Sequence, residues 1–371
     1  MGNCISCHTR PDGEPFSGGL RFETDFGTIF SSNITPDVET GIGAWTRAQF
    51  LRSMREGVDA KGEHLYPAFP YTAFTKVTDA DLNAIFAYLE TVPAVRYRGP
   101  SNDLTFPFNR RAMIGVWKAI YFEPGVYQPD SMRSEEWNRG AYLVQGLAHC
   151  GGCHTPRNFL GAERQDWALT GAIYQDRVQT GKYRDWSAVN LTSAPSGLGP
   201  WSLDDIAGYL EKGINNYASA YGPMVEVIMN STRHFNTADL RAVSVYLKSL
   251  APKAQTGGLS ATDDVLTTGE YLYTIHCATC HLETGRGSSA LGPSLQGNPV
   301  VQAFDPASLI NVIAYGPRLP NPPLPAQWQP MEAYAVKLAD EEIAAIASFV
   351  RRAWGNQGGA VTANQVAKQI D

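Results

Sequence analysis

Cys150-Gly151-Gly152-Cys153-His154 decides how this chain is read, because the same spacing recurs as Cys4-Ile5-Ser6-Cys7-His8 and as Cys277-Ala278-Thr279-Cys280-His281. These three pentapeptides use all six cysteines. Cys-x-x-Cys-His is the attachment signature of c-type haem: two thiols form thioethers to the porphyrin vinyl groups, and the adjacent imidazole falls beneath the iron as proximal ligand. A zinc site needs four ligands, and a thioredoxin-like pair needs no following histidine, so neither explains three copies with no spare cysteine. The motifs predict three haem c groups bonded to Cys4, Cys7, Cys150, Cys153, Cys277 and Cys280, with His8, His154 and His281 as proximal iron ligands. Attachment of this kind belongs to the bacterial periplasm or an equivalent oxidising compartment.

Working outward, the surroundings of the motifs repeat as well. Arg139-Gly140-Ala141-Tyr142-Leu143 and Thr268-Gly269-Glu270-Tyr271-Leu272 read as helices that deliver the second and third cysteine pairs. Downstream, Trp45 to Gly57, Trp201 to Gly213 and Asp305 to Gly316 read as middle helices, opened by Thr, Ser or Asp and closed by glycine. Closing helices follow over 78–89, 237–247 and 339–350, each with apolar residues at helical spacing. This order predicts an all-α fold of three tandem cytochrome c domains, at 1–97, 135–252 and 265–371, with linkers at 98–134 and 253–264. Cys4 lies so near the start that the first repeat lacks a delivering helix, which predicts further residues upstream of Met1 in the natural protein.

Composition narrows the function. The 371 residues are 43% hydrophobic and only 18% charged, with a formal net charge of -6. That describes a globular chain without the basic footprint of a nucleic-acid binder. No apolar run approaches the roughly twenty residues of a transmembrane helix, so membrane contact is expected to be peripheral. The first linker is unusual: Phe106-Pro107-Phe108-Asn109-Arg110-Arg111 leads into an apolar, aromatic segment ending at Phe122. It reads either as a helix packed between haem domains or as one facing a partner subunit or the membrane interface.

An electron carrier needs six-coordinate iron, and methionine is the usual sixth ligand. Met331, in Gln329-Pro330-Met331, and Met224, in Gly222-Pro223-Met224, stand in the loops before the closing helices. Met229 competes with Met224 but reads better as core. The first repeat carries Phe69 at the corresponding position; Met54, on its middle helix, is the candidate ligand there, and His64 is the runner-up. His149, His276 and His234 read as surface or packing residues. Trp45 and Trp201 are expected near haem edges or propionates, and Pro156, Arg157 and Gly292-Pro293 beside the proximal histidines, where a backbone carbonyl can orient the ring.

The sequence resembles the triple-haem cytochrome c subunits of membrane-bound periplasmic dehydrogenases of acetic acid bacteria and their relatives. Asn33-Ile34-Thr35-Pro36, Gly41-Ile42-Gly43-Ala44-Trp45, Leu65 to Tyr71, Asn138 to Leu143 and Cys150 to Asn158 carry the resemblance, which spans essentially the whole chain. It implies a subunit on the outer face of the inner membrane that relays electrons from a catalytic subunit through its haems to ubiquinone. The Phe69 form of the 65–71 segment and the 106–124 linker look closer to the molybdenum-hydroxylase group. The resemblance thus ranks an aldehyde dehydrogenase with molybdenum and iron–sulfur centres first, a pyrroloquinoline quinone alcohol dehydrogenase second, and a flavin sugar dehydrogenase after them. Two other classes compete: a multihaem peroxidase, which needs a distal acid–base pair not evident near the first haem, and a freely diffusing electron shuttle.

Overall fold

A computed structural model describes residues 1–177, 182–255, 257–317 and 331–370. The chain forms two compact units, residues 1–152 with 159–162, and residues 153–158 with 163–371. Both are mainly helical. The three-domain partition is a reading of the repeats and does not coincide with these units, since its second domain, 135–252, falls in both.

In the first unit the middle helix is Arg47–Glu56. Thr46 and Gln49 cap it reciprocally: the hydroxyl accepts the Gln49 N–H at 3.3 Å, and Gln49 Oε1 accepts the Thr46 N–H at 2.8 Å. Gly57 ends it at φ 61°, a left-handed conformation that glycine adopts without strain. The closing helix Asp79–Leu89 starts at Thr78, whose hydroxyl accepts the Asp81 N–H. Arg55 joins the two helices by donating to the Thr75 and Val77 carbonyls, each at 2.6 Å, and to Asp79. Between them Phe50 meets Phe86 with ring centroids 4.8 Å apart, and Met54, Tyr71, Phe74, Leu82 and Leu89 complete the core.

The linker segment folds as the helix Arg111–Tyr121. Ile114 and Lys118 are buried, and Trp117 Nε1 donates to the Leu160 carbonyl at 2.9 Å. Met113, Val116 and Ile120, on the other face, are exposed. One face therefore packs within the first unit and the other is free. The next helix, Glu135–Tyr142, runs into a π-helical turn, Leu143–Leu147, just before Cys150. Tyr142 Oη ties it to Asp81, and it also accepts the Thr78 N–H.

The second unit carries the helices Leu203–Lys212, Pro223–Asn230 and Thr237–Ser249, then Asp263–His276, Ala307–Tyr315, Asp340–Arg352 and Ala363–Gln369. Ser202 and Asp205 repeat the capping box of the first unit, and Gly213 closes that helix at φ 77°. The third middle helix departs from expectation by one residue. Pro306, which has no N–H, occupies the cap position, and Asp305 Oδ1 accepts the Ala307 N–H at 2.8 Å instead of capping as predicted.

Asp263–His276 crosses Asp340–Arg352 at Gly269. A Cβ there would lie 2.2 Å from the Ala345 carbonyl oxygen, so only glycine lets the backbones approach this closely. The closing helix is buried on more than one face because Val361 and Val366 cover its back. Arg351, 2% exposed, is held there by the Gly359, Val301 and Ala303 carbonyls.

Strands modify the expected all-α picture. Arg21–Thr24, Gly27–Phe30 and Asp103–Leu104 form an antiparallel sheet, and Ala172–Arg177 pairs with Tyr183–Ala188 as a hairpin. Its outer strand packs on the third middle helix: the Ser187 N–H donates to Ser308 Oγ at 2.8 Å, and Asn311 Nδ2 to the Asp185 carbonyl at 2.8 Å. Short strands between cysteine motif and middle helix left no helical periodicity to read.

Candidate haem sites

Each motif folds as one helical turn, Cys4–Cys7, Gly151–His154 and Ala278–His281, or runs directly into one. The histidine follows immediately, and in all three its Nδ1 faces a backbone carbonyl: Ser32 at 2.6 Å for His8, Val189 at 2.7 Å for His154, and Pro293 at 2.9 Å for His281. Nδ1 bound in this way carries the proton, which leaves Nε2 as a bare donor for a metal and fixes the plane of the ring. Burial holds all three imidazoles below the usual histidine range, in the neutral form that ligation requires. Burial also pushes the Cys153 thiol up to about 11 and the Cys277 thiol up to about 12.

The carbonyls are themselves held. Asn33, next to Ser32, accepts the Thr35 N–H and hydroxyl through Oδ1 at 2.9 and 2.7 Å, and donates through Nδ2 to the Val95 carbonyl at 2.7 Å. Asn190, next to Val189, repeats this with Thr192 at 2.8 Å twice and with the Lys253 carbonyl at 2.8 Å. The sequence contained this signal as an Asn-x-Thr triplet in both repeats. It could not show that the residue before each triplet orients the ligand. Pro293 does so as expected. Pro156 and Arg157 do not: the Pro156 carbonyl accepts the Arg164 N–H at 2.8 Å, and Val189 takes the expected role.

Met331 is half-buried against the hydrophobic core of the third repeat, as is Cys277. Gln329 and Pro330 lie outside the described residues. Met224 is the second residue of the helix Pro223–Asn230, whereas Met229 offers its sulfur to Arg233 Nη1 at 3.2 Å. Met54 is buried on the first middle helix.

His64 lies beside the linker helix. Its Nδ1 lies 3.1 Å from Lys118 Nζ, and its Nε2 faces Gly115, where a Cβ would come within 2.9 Å. Lys118 also donates to the Glu56 and Gly57 carbonyls, both at 2.6 Å, and burial pushes its ammonium down to about 8. His149 and His276 are packing residues, in edge contact with Phe74 and Tyr334. His234 Nε2 lies 3.1 Å from the Met229 carbonyl.

Haem fits this donor set on independent grounds. Buried polar atoms without a partner among the described residues include Trp201 Nε1, Trp186 Nε1 and Tyr71 Oη. Buried N–H and O–H groups are nearly always satisfied. An indole N–H is the donor a propionate carboxylate accepts, and Trp201 was expected beside one.

Comparison with known proteins agrees. The family described as cytochrome c matches residues 1–93, and that described as cytochrome C oxidase, cbb3-type, subunit III matches residues 264–350. The cytochrome c subunit of alcohol dehydrogenase (quinone) from Gluconacetobacter polyoxogenes is 38% identical, over 100% of this chain and 82% of its own. The chain belongs to the cytochrome c subunits of dehydrogenases. Another relative of this cytochrome subunit is the fructose dehydrogenase cytochrome subunit of Gluconobacter japonicus, 38% identical over 99% of this chain and 80% of its own. A nicotinate dehydrogenase polypeptide of Pseudomonas putida is 39% identical over 94% of this chain, which spans only 29% of that longer protein. In the cytochrome subunit, no helix among the described residues is long and apolar enough to cross a membrane.

Proposed function

We propose that the chain carries three haem c groups in three tandem cytochrome c domains and serves as the electron-transfer subunit of a periplasmic dehydrogenase complex. In this reading it sits at the outer face of the inner membrane, takes electrons from a catalytic subunit and delivers them to ubiquinone. One observation carries it: three imidazoles, each with Nδ1 committed to a carbonyl and Nε2 left for iron. Haem c, when bound, supplies a one-electron iron couple.

The chain's own residues do the rest. Cys4 with Cys7, Cys150 with Cys153, and Cys277 with Cys280 hold each porphyrin covalently. Met331, Met224 and Met54 are the proposed sixth ligands, whose thioether sulfurs favour the reduced iron and raise the potential. Trp201 Nε1 and Tyr71 Oη offer buried donors for propionates. The peptide carbonyls keep the imidazoles electron-rich, and the two effects oppose each other in setting each potential.

The Tyr66-Pro67-Ala68-Phe69-Pro70-Tyr71 form supports an aldehyde-oxidising molybdenum and iron–sulfur partner. A second reading, a pyrroloquinoline quinone alcohol dehydrogenase, draws on the relative named alcohol dehydrogenase (quinone), and a flavin sugar dehydrogenase on the one named fructose dehydrogenase. The test is to purify the native complex, measure the mass of the denatured chain and identify the non-haem cofactor. Three porphyrins retained in acidified acetone are expected; fewer, or none, would overturn the three-haem reading. Molybdenum selects aldehyde oxidation, pyrroloquinoline quinone alcohol oxidation, and flavin sugar oxidation.

A further inference from the structure

The Asn215–Ala218 loop, after the second middle helix, makes contacts that ordinary loop packing does not require. Tyr217 stacks on Trp201, ring centroids 5.6 Å apart and planes 19° apart, and Trp201 is the residue whose buried Nε1 has no partner among the described residues. The other side of the loop reaches the segment after the third motif. The Tyr217 carbonyl accepts Asn298 Nδ2 at 2.6 Å, and the Asn216 carbonyl accepts the Ser294 N–H at 3.1 Å. Asn298 Nδ2 also donates to the Ser294 carbonyl at 3.1 Å. Ser294 directly follows Pro293, whose carbonyl holds His281 Nδ1 at 2.9 Å.

These contacts all lie inside the second unit and form one continuous packed chain: Trp201, Tyr217, Asn298 and Ser294, Pro293, His281. The loop also lacks slack. Asn215 Oδ1 accepts the Tyr217 and Ala218 N–H groups at 2.8 Å, and Tyr217 Oη donates to the Pro200 carbonyl at 3.2 Å. In the first two repeats an Asn-x-Thr clip from the same repeat holds the carbonyl that orients the proximal histidine. In the third, Asn298 of the same repeat shares the task with the Asn216 and Tyr217 carbonyls of the neighbouring one.

We infer that Tyr217 and Asn298 are positioning residues for electron exchange between the second and third haems: Tyr217 joins the Trp201 edge of the second site to the proximal side of the third, and Asn298 sets how firmly Pro293 holds His281. This inference rests on the three-haem reading. The step moves one electron from ferrous iron at one site to ferric iron at the other. The donor becomes ferric and the acceptor ferrous, and no bond forms or breaks. The path favours packed atoms over a jump through solvent, so the ring at 217 matters for rate, while the amide at 298 matters for potential. A tightly held Nδ1–H makes the imidazole more basic and favours ferric iron. Loosening it raises the potential of the third haem.

The test uses the full haem-loaded chain. Porphyrin mass comes first, because a count other than three sinks the underlying reading and not this one. The third haem is assigned by its loss in a Cys277→Ser, Cys280→Ser double variant. In Asn298→Ala, a potentiometric titration followed optically is expected to show the third haem's midpoint raised and the other two unmoved. In Tyr217→Leu, electron redistribution between the second and third haems after rapid photoreduction is expected to slow several-fold with all three midpoints kept. Tyr217→Phe keeps the ring, loses only the hydroxyl bond to Pro200, and should transfer at the parental rate; if the leucine variant does not fold, Tyr217→Ser supplies the ring deletion. Unchanged transfer in the ring-deleted variant, or an unmoved third midpoint in Asn298→Ala, would overturn the inference.

Discussion

Replacing Asn190 by alanine asks how much a proximal ligand depends on the clip behind it. The side chain makes three hydrogen bonds, accepting from the Thr192 N–H and hydroxyl at 2.8 Å each in the buried interior and donating to the Lys253 carbonyl at 2.8 Å in a half-buried bond. At about 1 kcal/mol net per bond the loss is about 3 kcal/mol, and the Thr192 N–H left buried without a partner adds about 1 kcal/mol or more. Against a domain stability of roughly 5–15 kcal/mol this leaves a folded but weakened second repeat. Val189, no longer pinned beside the clip, should hold His154 less firmly, so the potential of the second haem should rise. Denaturant unfolding followed at the haem absorption band gives the first quantity, and a potentiometric titration the second. If Asn190→Ala unfolds with the parental protein and all three midpoints coincide with it, the clip has no part in ligand control. Asn33→Ala should reproduce the effect on the first haem alone.

Gly269→Ala would improve helix propensity by about 1 kcal/mol, yet its Cβ would meet the Ala345 carbonyl at 2.2 Å and Phe349 Cβ at 2.7 Å. Net destabilisation of the third repeat by roughly 1–3 kcal/mol is expected from forced separation of the helices, read as a lower thermal midpoint. Lys118 gives a pH test. Its folded value near 8 lies below the unfolded 10.5, so between them the unfolded chain binds more protons, and stability should rise with pH across that window. Thermal unfolding of Lys118→Met should lose that slope; a slope retained in the variant assigns it to another group. Met331→Leu should abolish the sulfur-to-iron absorption of one ferric haem and lower its potential, whereas unchanged spectra would move the sixth ligand elsewhere. His64→Gln should leave the optical spectra of all haems as they were, since both ring nitrogens are directed at the linker helix.

Local chemistry carried much of this protein into view. Cys-x-x-Cys-His is contiguous, so its haem reading needs no tertiary information. Thr46, Ser202, Gly57 and Gly213 mark helix ends through hydrogen bonds and backbone angles that span only a few residues, and both boxes form where the residue pattern puts them. Met224 and Met331 are candidates only through their place before the closing helices, which is likewise legible from sequence order.

Other features were decided only when distant segments met. Nothing about Ser32 or Val189 marks its carbonyl as the one that orients an imidazole, because any residue offers the same oxygen and only the chain path selects it. The ring nitrogens of His64 point towards Lys118 and Gly115, on a helix about fifty residues on, a placement no local pattern shows. The Tyr217–Asn298 contact joins two repeats that the sequence presents as separate. Motifs and caps are short-range bonds written into neighbouring residues. The orientation of a ligand, and the route between two sites, depend on which remote carbonyl or ring the fold brings within about 3–6 Å, and that is settled by packing.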